Sequence, residues 1–396
     1  MKPFTMSQIP LDKLLLLALI HVPFTAANGA FTVYNYSQVS ASCVNYTIPV
    51  YPTSTNIIFS NASKWTNNFG LAQFSADRTG QDPNQQPPVP FLTTSERSNV
   101  SYTIGATFCQ PKFNGTQNSS TVILASHGLG FDRSYWNIPY QPEKYSFLDF
   151  VIGQGYSVLF YDRLGVGQSS KVSGYINQLS IQESILAQLA ALVKSGAYTG
   201  TLGVPKSTVL IGHSFGSTIT HAVAKSKPGA ADAIILTGYS NNATLVKTPV
   251  LISAWQLKIA NLFREAWSQL DTGYVTWVDL YSNVNTFFKA PGYTTDAAMF
   301  AEQHKQPFGI TELLSGGSPG RTNYTGPVLV VAGSNDFIFC NGYCEGVLEP
   351  AAKLDFPSSS SLKTYVQPDT GHGMNFHTNA TGFYKVVTDF LASNGL

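Results

Sequence analysis

Residues 208–217 read TVLIGHSFGS, an apolar run that ends on a serine set between two glycines. Thr208, Val209, Leu210 and Ile211 have the β-branched, apolar character of a buried strand, and Gly212-His213-Ser214-Phe215-Gly216 reads as a tight turn into a helix. The stretch matches G-x-S-x-G, in which a strained strand-to-helix turn lifts a serine oxygen above a sheet while the glycines let strand and helix approach closely. The pentapeptide alone also fits a glycine-rich turn whose serine only caps the helix. The rest of the chain has to decide between the two.

Outward from this turn the pattern is regular. TVILASHG, YSVLFYDRLG, AIILTG and PVLVVAGSND are further apolar strand candidates, each ending in turn residues and mostly separated by helical stretches. Near-continuous apolar runs of this kind belong to a mostly parallel sheet covered by helices on both faces, an α/β arrangement. Ser180-Ile-Gln-Glu183 reads as a capping box ahead of the apolar face Ile185, Leu186, Leu189, Leu192 and Val193. The helix after Ser214 should stop near Pro228-Gly229, and Phe383, Val386, Val387, Phe390 and Leu391 mark a last helix. Residues 31–60 contain strand-like stretches, and NQQPPVPF at 84–91 is a proline-rich connector. Residues 239–326 lack the strand rhythm and carry Trp255, Trp267, Trp277, Phe263, Phe287 and Phe288 in sequence that reads as helices. So long an insertion implies a cap with its own packing, its aromatics mostly core. The domain reading is 1–27 signal peptide, 28–238 with 327–396 as the core, and 239–326 as the cap.

Composition sets the setting. Of 396 residues 43% are hydrophobic and only 11% charged, where about a quarter is usual. The formal charge is +1 with no basic or acidic run, which gives no reason to expect nucleic acid or an anionic membrane as partner. Lys2 and Lys13 precede the apolar run 14–22, too short to span a bilayer, and small residues follow at Thr25, Ala26 and Ala27. This reads as a signal peptide cut after Ala27, leaving a secreted chain with no stable membrane insertion. Asn-x-Ser/Thr triplets begin at Asn35, Asn45, Asn61, Asn99, Asn114, Asn118, Asn242, Asn323 and Asn379. The four cysteines allow three pairings; the close spacing of Cys340 and Cys344 favours a local bridge, which leaves Cys43 with Cys109. There is no second cysteine pair at zinc-ligand spacing, and no metal or organic cofactor is expected.

Acyl transfer by a serine needs a base, an acid that orients it, and N–H donors for the oxyanion. Asp336 follows PVLVVAGSN and His372 follows LKTYVQPDTG, so acid and base candidates each stand after their own strand, in the chain order Ser214, Asp336, His372. Asp369 and His377 compete for the same roles, and His221 and His304 read as helix residues without catalytic duty.

SHGLGFDRSYW (126–136), YDRLGVGQSS (161–170), GHSFGS, AGSNDFIFC and DTGHG together resemble the α/β-hydrolase superfamily, over roughly residues 120–396. With the signal, the sequons and the cap, the chain is similar to the secreted fungal branch of that superfamily. The resemblance implies the α/β-hydrolase fold, with strands added before residue 120 and an inserted helical cap. It implies that HGLG is the oxyanion loop, with Leu129 and Phe215 as backbone donors, His127 as its brace and His213 as a turn residue. A serine at 214 argues against epoxide hydrolases and dehalogenases, which carry aspartate there. The function expected is hydrolysis of a carboxylic ester, or of a lactone or amide, of a moderately sized, low-charge organic substrate. The alternatives are lactonisation, cyclisation or release of a polyketide or peptide in fungal secondary metabolism, and a non-catalytic binding protein that keeps the fold.

The processing expected from the sequons and the leader is measurable. Secreted material should begin near Asn28 and run heavier on a gel than its sequence mass until its glycans are removed; an intact Met1 on secreted protein contradicts this.

Overall fold

The computed structural model describes residues 41–60, 64–79, 91–112, 120–242 and 248–396. The signal segment, most of the proline-rich connector, and Asn35, Asn61, Asn114 and Asn118 lie outside the described residues.

The described strands in chain order are β1 (Ala41–Val50), β2 (Thr53–Phe59), β3 (Phe91–Asn99), β4 (Tyr102–Pro111), β5 (Thr121–Ser126), β6 (Ser157–Tyr161), β7 (Ser207–His213), β8 (Ala233–Thr237), β9 (Lys258–Ile259), β10 (Tyr274–Thr276), β11 (Phe308–Gly309), β12 (Val328–Gly333) and β13 (Leu362–Gln367). Eight of them form one sheet in the order β1-β4-β6-β5-β7-β8-β12-β13. β1 with β4 and β4 with β6 are antiparallel, and every pair from β6 to β13 is parallel. The segment before residue 120, which carries no motif, thus supplies the antiparallel edge of the sheet and a separate two-stranded antiparallel sheet of β2 and β3.

The parallel strands are those that the apolar runs mark. Every residue of β5, β6, β7, β8 and β12 is buried, as strands covered on both faces must be. β7 lies between β5 and β8, with Leu210 opposite Leu124 on one side and Ile234 on the other. Helices Leu179–Lys194 and Phe215–Ser226 pack together on β7, and Ala380–Ser393 packs with Phe147–Gly153. At the antiparallel edge Cys43 and Cys109 stand directly opposite each other, 4.1 Å apart at Cα, and are bridged. Cys340 is bridged to Cys344.

Two local expectations are corrected. Ser180 does not open a capping box: the helix starts at Leu179, and the Ser180 hydroxyl donates to Asn56 Oδ1 on β2 at 2.9 Å. The Ser315 hydroxyl, 2.9 Å from Leu179 N, takes one of the first donors of that helix instead. The insertion between β8 and β12 is likewise not helix alone. Beside helices Thr248–Trp255, Leu280–Phe287, Thr295–Gln303 and Ile310–Ser315 it holds an antiparallel sheet in the order β11-β10-β9. Strands of two or three residues are too short to show an alternating pattern. Trp255 and Trp277 are buried in this segment, their indole N–H groups donating to Thr286 Oγ1 at 3.0 Å and Glu302 Oε2 at 2.7 Å.

Candidate active site

Ser214 sits between the end of β7 and the first residue of helix Phe215–Ser226 with φ 56° and ψ −120°, outside the regions a side chain ordinarily allows. Glycines on either side make the turn possible. A Cβ at Gly212 would lie 2.3 Å from Gly216 O, and one at Gly216 would lie 2.1 Å from Ser126 O on β5. Ser214 N donates to Thr237 O of β8 at 2.9 Å, and the Ser217 hydroxyl donates to the same oxygen, so the neighbouring strand holds the turn.

Three side chains meet at this edge. Ser214 Oγ is 2.8 Å from His372 Nε2, and His372 Nδ1 is 2.7 Å from Asp336 Oδ2. His372 and Asp336 are fully buried while Ser214 keeps 8% of its surface, so only the serine faces the space beside it. Asp336 caps the short helix Phe337–Cys340, its Oδ1 accepting from Phe339 N at 2.9 Å, which leaves Oδ2 for the histidine. Its carbonyl accepts from Cys340 N and Gly342 N, and Cys344 N donates to Ser334 O, so both bridged cysteines hold the aspartate loop.

The competing candidates stand elsewhere. Asp369 is exposed in a turn at φ 51°. His377 is buried with both nitrogens taken: Nδ1 donates to Gly373 O at 3.0 Å, and Nε2 accepts from Gly371 N at 2.9 Å and Lys289 N at 3.3 Å. It therefore braces the loop that carries His372. His221 lies in helix Phe215–Ser226 between the Tyr239 hydroxyl and Gly320 O, and His304 closes helix Thr295–Gln303. His213 ends β7, 3.3 Å from Thr237 Oγ1 and stacked on Tyr135.

Leu129 and Phe215 border the same cavity as Ser214, and their backbone N–H groups meet no acceptor among the described residues. The oxyanion-loop candidate is tied down on one side by His127, whose Nδ1 donates to Gly128 O at 2.9 Å while Nε2 accepts from Arg163 N at 3.0 Å. Burial, with the Arg163 charge adding to it, holds His127 well below the ordinary histidine range. Burial does the same to His213, helped by the neighbouring His372 and His127. The loop after β6 folds around Asp162, which accepts from Arg133 N at 3.0 Å and Gln168 N at 2.8 Å; burial pushes its carboxyl up to about 6 against the pull of Arg133.

Sequence reasoning missed Glu312, which forms a buried ion pair with Arg163 across 149 residues of chain. Arg163 stands inside the YDRLGVGQSS motif, but no periodicity or motif singles out its partner. Among the described sequons, Asn99 and Asn323 are exposed, Asn242 is half-buried, and half-buried Asn45 accepts from Thr107 Oγ1 at 2.7 Å. The Asn379 amide donates to Pro368 O at 2.7 Å. Among the described residues no group of three or more metal-ligating side chains is gathered.

A doubly wound, mostly parallel sheet with a serine elbow at its carboxyl edge, facing a histidine and an aspartate from later strands, defines the hydrolase class of α/β proteins. The model of the alpha/beta hydrolase family matches residues 122–385, and the chain belongs to that family. Among solved structures, an alpha/beta hydrolase fold protein from Chitinophaga pinensis is 16% identical with a TM-score of 0.50, the match covering 73% of this chain and 94% of that one. A thermophilic esterase from Thermogutta terrifontis, solved with malate bound, is 17% identical with a TM-score of 0.49, covering 74% and 94%. Likeness at these identities concerns the fold alone. No curated protein matches the sequence.

The buried histidines set a pH response. Burial lowers His377 to about 4 and His221 to about 3 from an ordinary 6.5, so both stay neutral in the folded chain after their unfolded counterparts have taken up protons. Their stabilisation is complete above pH 6.5 and is lost as pH falls towards 4, His377 alone accounting for roughly 3 kcal/mol. Melting temperatures between pH 7 and 4.5 should drop accordingly, with a shallower slope in His377→Gln; an unchanged slope contradicts this assignment.

Proposed function

We propose that the protein is a secreted serine hydrolase that cleaves a carboxylic ester of a moderately sized, low-charge organic substrate through an acyl-enzyme. The observation that carries this reading is the relay from Ser214 Oγ to His372 Nε2 at 2.8 Å and from His372 Nδ1 to Asp336 Oδ2 at 2.7 Å, starting from a serine in a strained turn.

In this reading His372 Nε2 takes the Ser214 proton as Oγ attacks the acyl carbon, and Asp336 stabilises the imidazolium through its Nδ1–H. The Leu129 and Phe215 N–H groups bind the oxyanion of the tetrahedral intermediate. The intermediate collapses by breaking the bond to the alcohol oxygen, which leaves with the proton from His372. Water then gives a proton to His372, attacks the acyl-serine, and releases the acid while Ser214 recovers its proton.

The cavity beside Ser214, about 50 Å³, is lined by Leu129, Phe215, Leu251, Trp255, Leu313, Ile338 and Phe339. Its charged lining residue, Glu312, is paired with Arg163, which favours a compact, uncharged group next to the nucleophile. Trp255, Leu251 and Leu313 come from the insertion, which acts as the cap over this space. Two disulfides agree with an oxidising compartment, and among the described residues no helix is long and apolar enough to cross a membrane.

Ser214→Ala should keep its circular dichroism spectrum and lose on the order of 10⁴ to 10⁶ in turnover, and His372→Ala a similar amount, without the two losses adding. Asp336→Asn should be severe as well, on the order of 10⁴, because the imidazole loses its orienting acceptor and its countercharge. If folded Ser214→Ala keeps more than about a tenth of wild-type turnover on the best substrate of an ester panel, the mechanism is wrong. Changing Cys340 and Cys344 together to serine should lower turnover more than melting temperature. A bridge across so short a loop restricts the unfolded chain little, while its backbone holds Asp336. Peptide mapping that finds both thiols free removes the basis for this.

A further inference from the structure

We propose that Arg163 and Glu312 are a positioning pair, which fixes the peptide between Gly128 and Leu129 so that the Leu129 N–H points at the oxyanion. The proposal rests on the reading of Ser214 as nucleophile and of Leu129 as oxyanion donor.

Both side chains are fully buried. Arg163 Nη1 bonds Glu312 Oε1, which also accepts from Gln182 Nε2 at 3.2 Å, while Glu312 Oε2 accepts from Gly309 N at 2.8 Å. The carboxylate is thus held by its own helix start and by the core helix Leu179–Lys194. Arg163 Nη2 donates to Gly128 O at 3.3 Å, and the Arg163 backbone N–H fixes the His127 tautomer that donates to the same oxygen. A trans peptide holds its C=O and N–H in one plane on opposite sides of the C–N bond, so anchoring Gly128 O aims the Leu129 N–H the other way. The guanidinium also lies 5.0 Å from the Phe215 ring, on the residue that carries the second donor.

The peptide between Gly130 and Phe131 is fixed from the insertion too. Gly130 O accepts from Gln306 N at 2.9 Å, and a Cβ at Gly130 would lie 2.1 Å from Trp277 Cζ3, so the indole rests directly on the loop. Glu312 belongs to the same insertion. A buried ion pair is a poor source of stability, since well-packed apolar residues of similar volume do as well or better. Its contact with the peptide that bears a donor gives this one a function in the geometry of the transition state. The insertion therefore shapes the oxyanion site as well as covering it.

The test is the double variant Arg163→Met/Glu312→Leu, which removes both charges and keeps the volume. It should melt within a few degrees of wild type. Its kcat on a p-nitrophenyl ester should fall by about 10- to 100-fold, a larger change than any in KM, to which Glu312 contributes only as part of the cavity lining. Hydrogen exchange of the peptide covering 127–131 should quicken with no change elsewhere in the sheet. Arg163→Lys, which leaves Glu312 a countercharge but cannot reach it and Gly128 O together, should show the same kcat loss if the double variant fails to fold. Wild-type kcat in either folded variant, or unchanged exchange at 127–131, overturns the proposal. Failure of the nucleophile reading is seen separately, as turnover retained by Ser214→Ala, and the exchange measurement still judges the pair in that event.

Discussion

The turn at Ser214 depends on the absence of side chains at Gly212 and Gly216, where strand and helix backbones come within van der Waals contact of each other and of β5. Because no Cβ fits there, the helix after β7 can start at once, and the chain has to reverse through a single residue. That residue takes a positive φ, which costs of order 1–3 kcal/mol for anything but glycine and persists only where its surroundings over-determine it. The surroundings here are β5 and β8, which flank β7 in register, and Thr237 O, which accepts from both Ser214 N and the Ser217 hydroxyl. The parallel sheet is thus the scaffold for one strained serine.

Around that serine the polar groups are sorted by what the backbone offers them. His127, His377 and His372 are all fully buried, yet each has a different pair of partners. His127 joins the loop after β5 to the loop after β6, and His377 closes its own loop on Gly371 and Gly373. Only His372 has a carboxylate on one nitrogen and a serine hydroxyl on the other. Burial keeps the first two neutral, while Asp336 accepts from the start of a helix on one oxygen and meets His372 with the other. The Arg163–Glu312 pair spans the core and the insertion.

The elements legible in the sequence are those with long, uniform patterns. The apolar runs at 121–126, 157–161, 207–213, 233–237 and 328–333 are all strands, and 380–393 is the helix that its apolar stripe marks. What escaped was local chemistry diverted by distant partners. The Ser180 hydroxyl looks like a cap but is taken by Asn56, and the strands at 258–259, 274–276 and 308–309 are too short to carry a period. Residues before 120 form the antiparallel edge without any motif to announce it, because edge pairing asks for little more than extended backbone.

By itself the sequence determined the elbow around Ser214, the parallel strands, and the order in which a serine, an aspartate and a histidine reach the carboxyl edge of the sheet. These are local properties, set by residue type and spacing within ten or so positions. Only the tertiary structure sets Asp336 and His372 in line with Ser214 while Asp369 stays exposed and His377 is bonded at both nitrogens, because that depends on which side chain the loops after β12 and β13 turn inward. It alone brought Glu312 to Arg163. A contact across 149 residues is fixed by how the insertion packs back on the sheet, and no pattern along the chain encodes that closure.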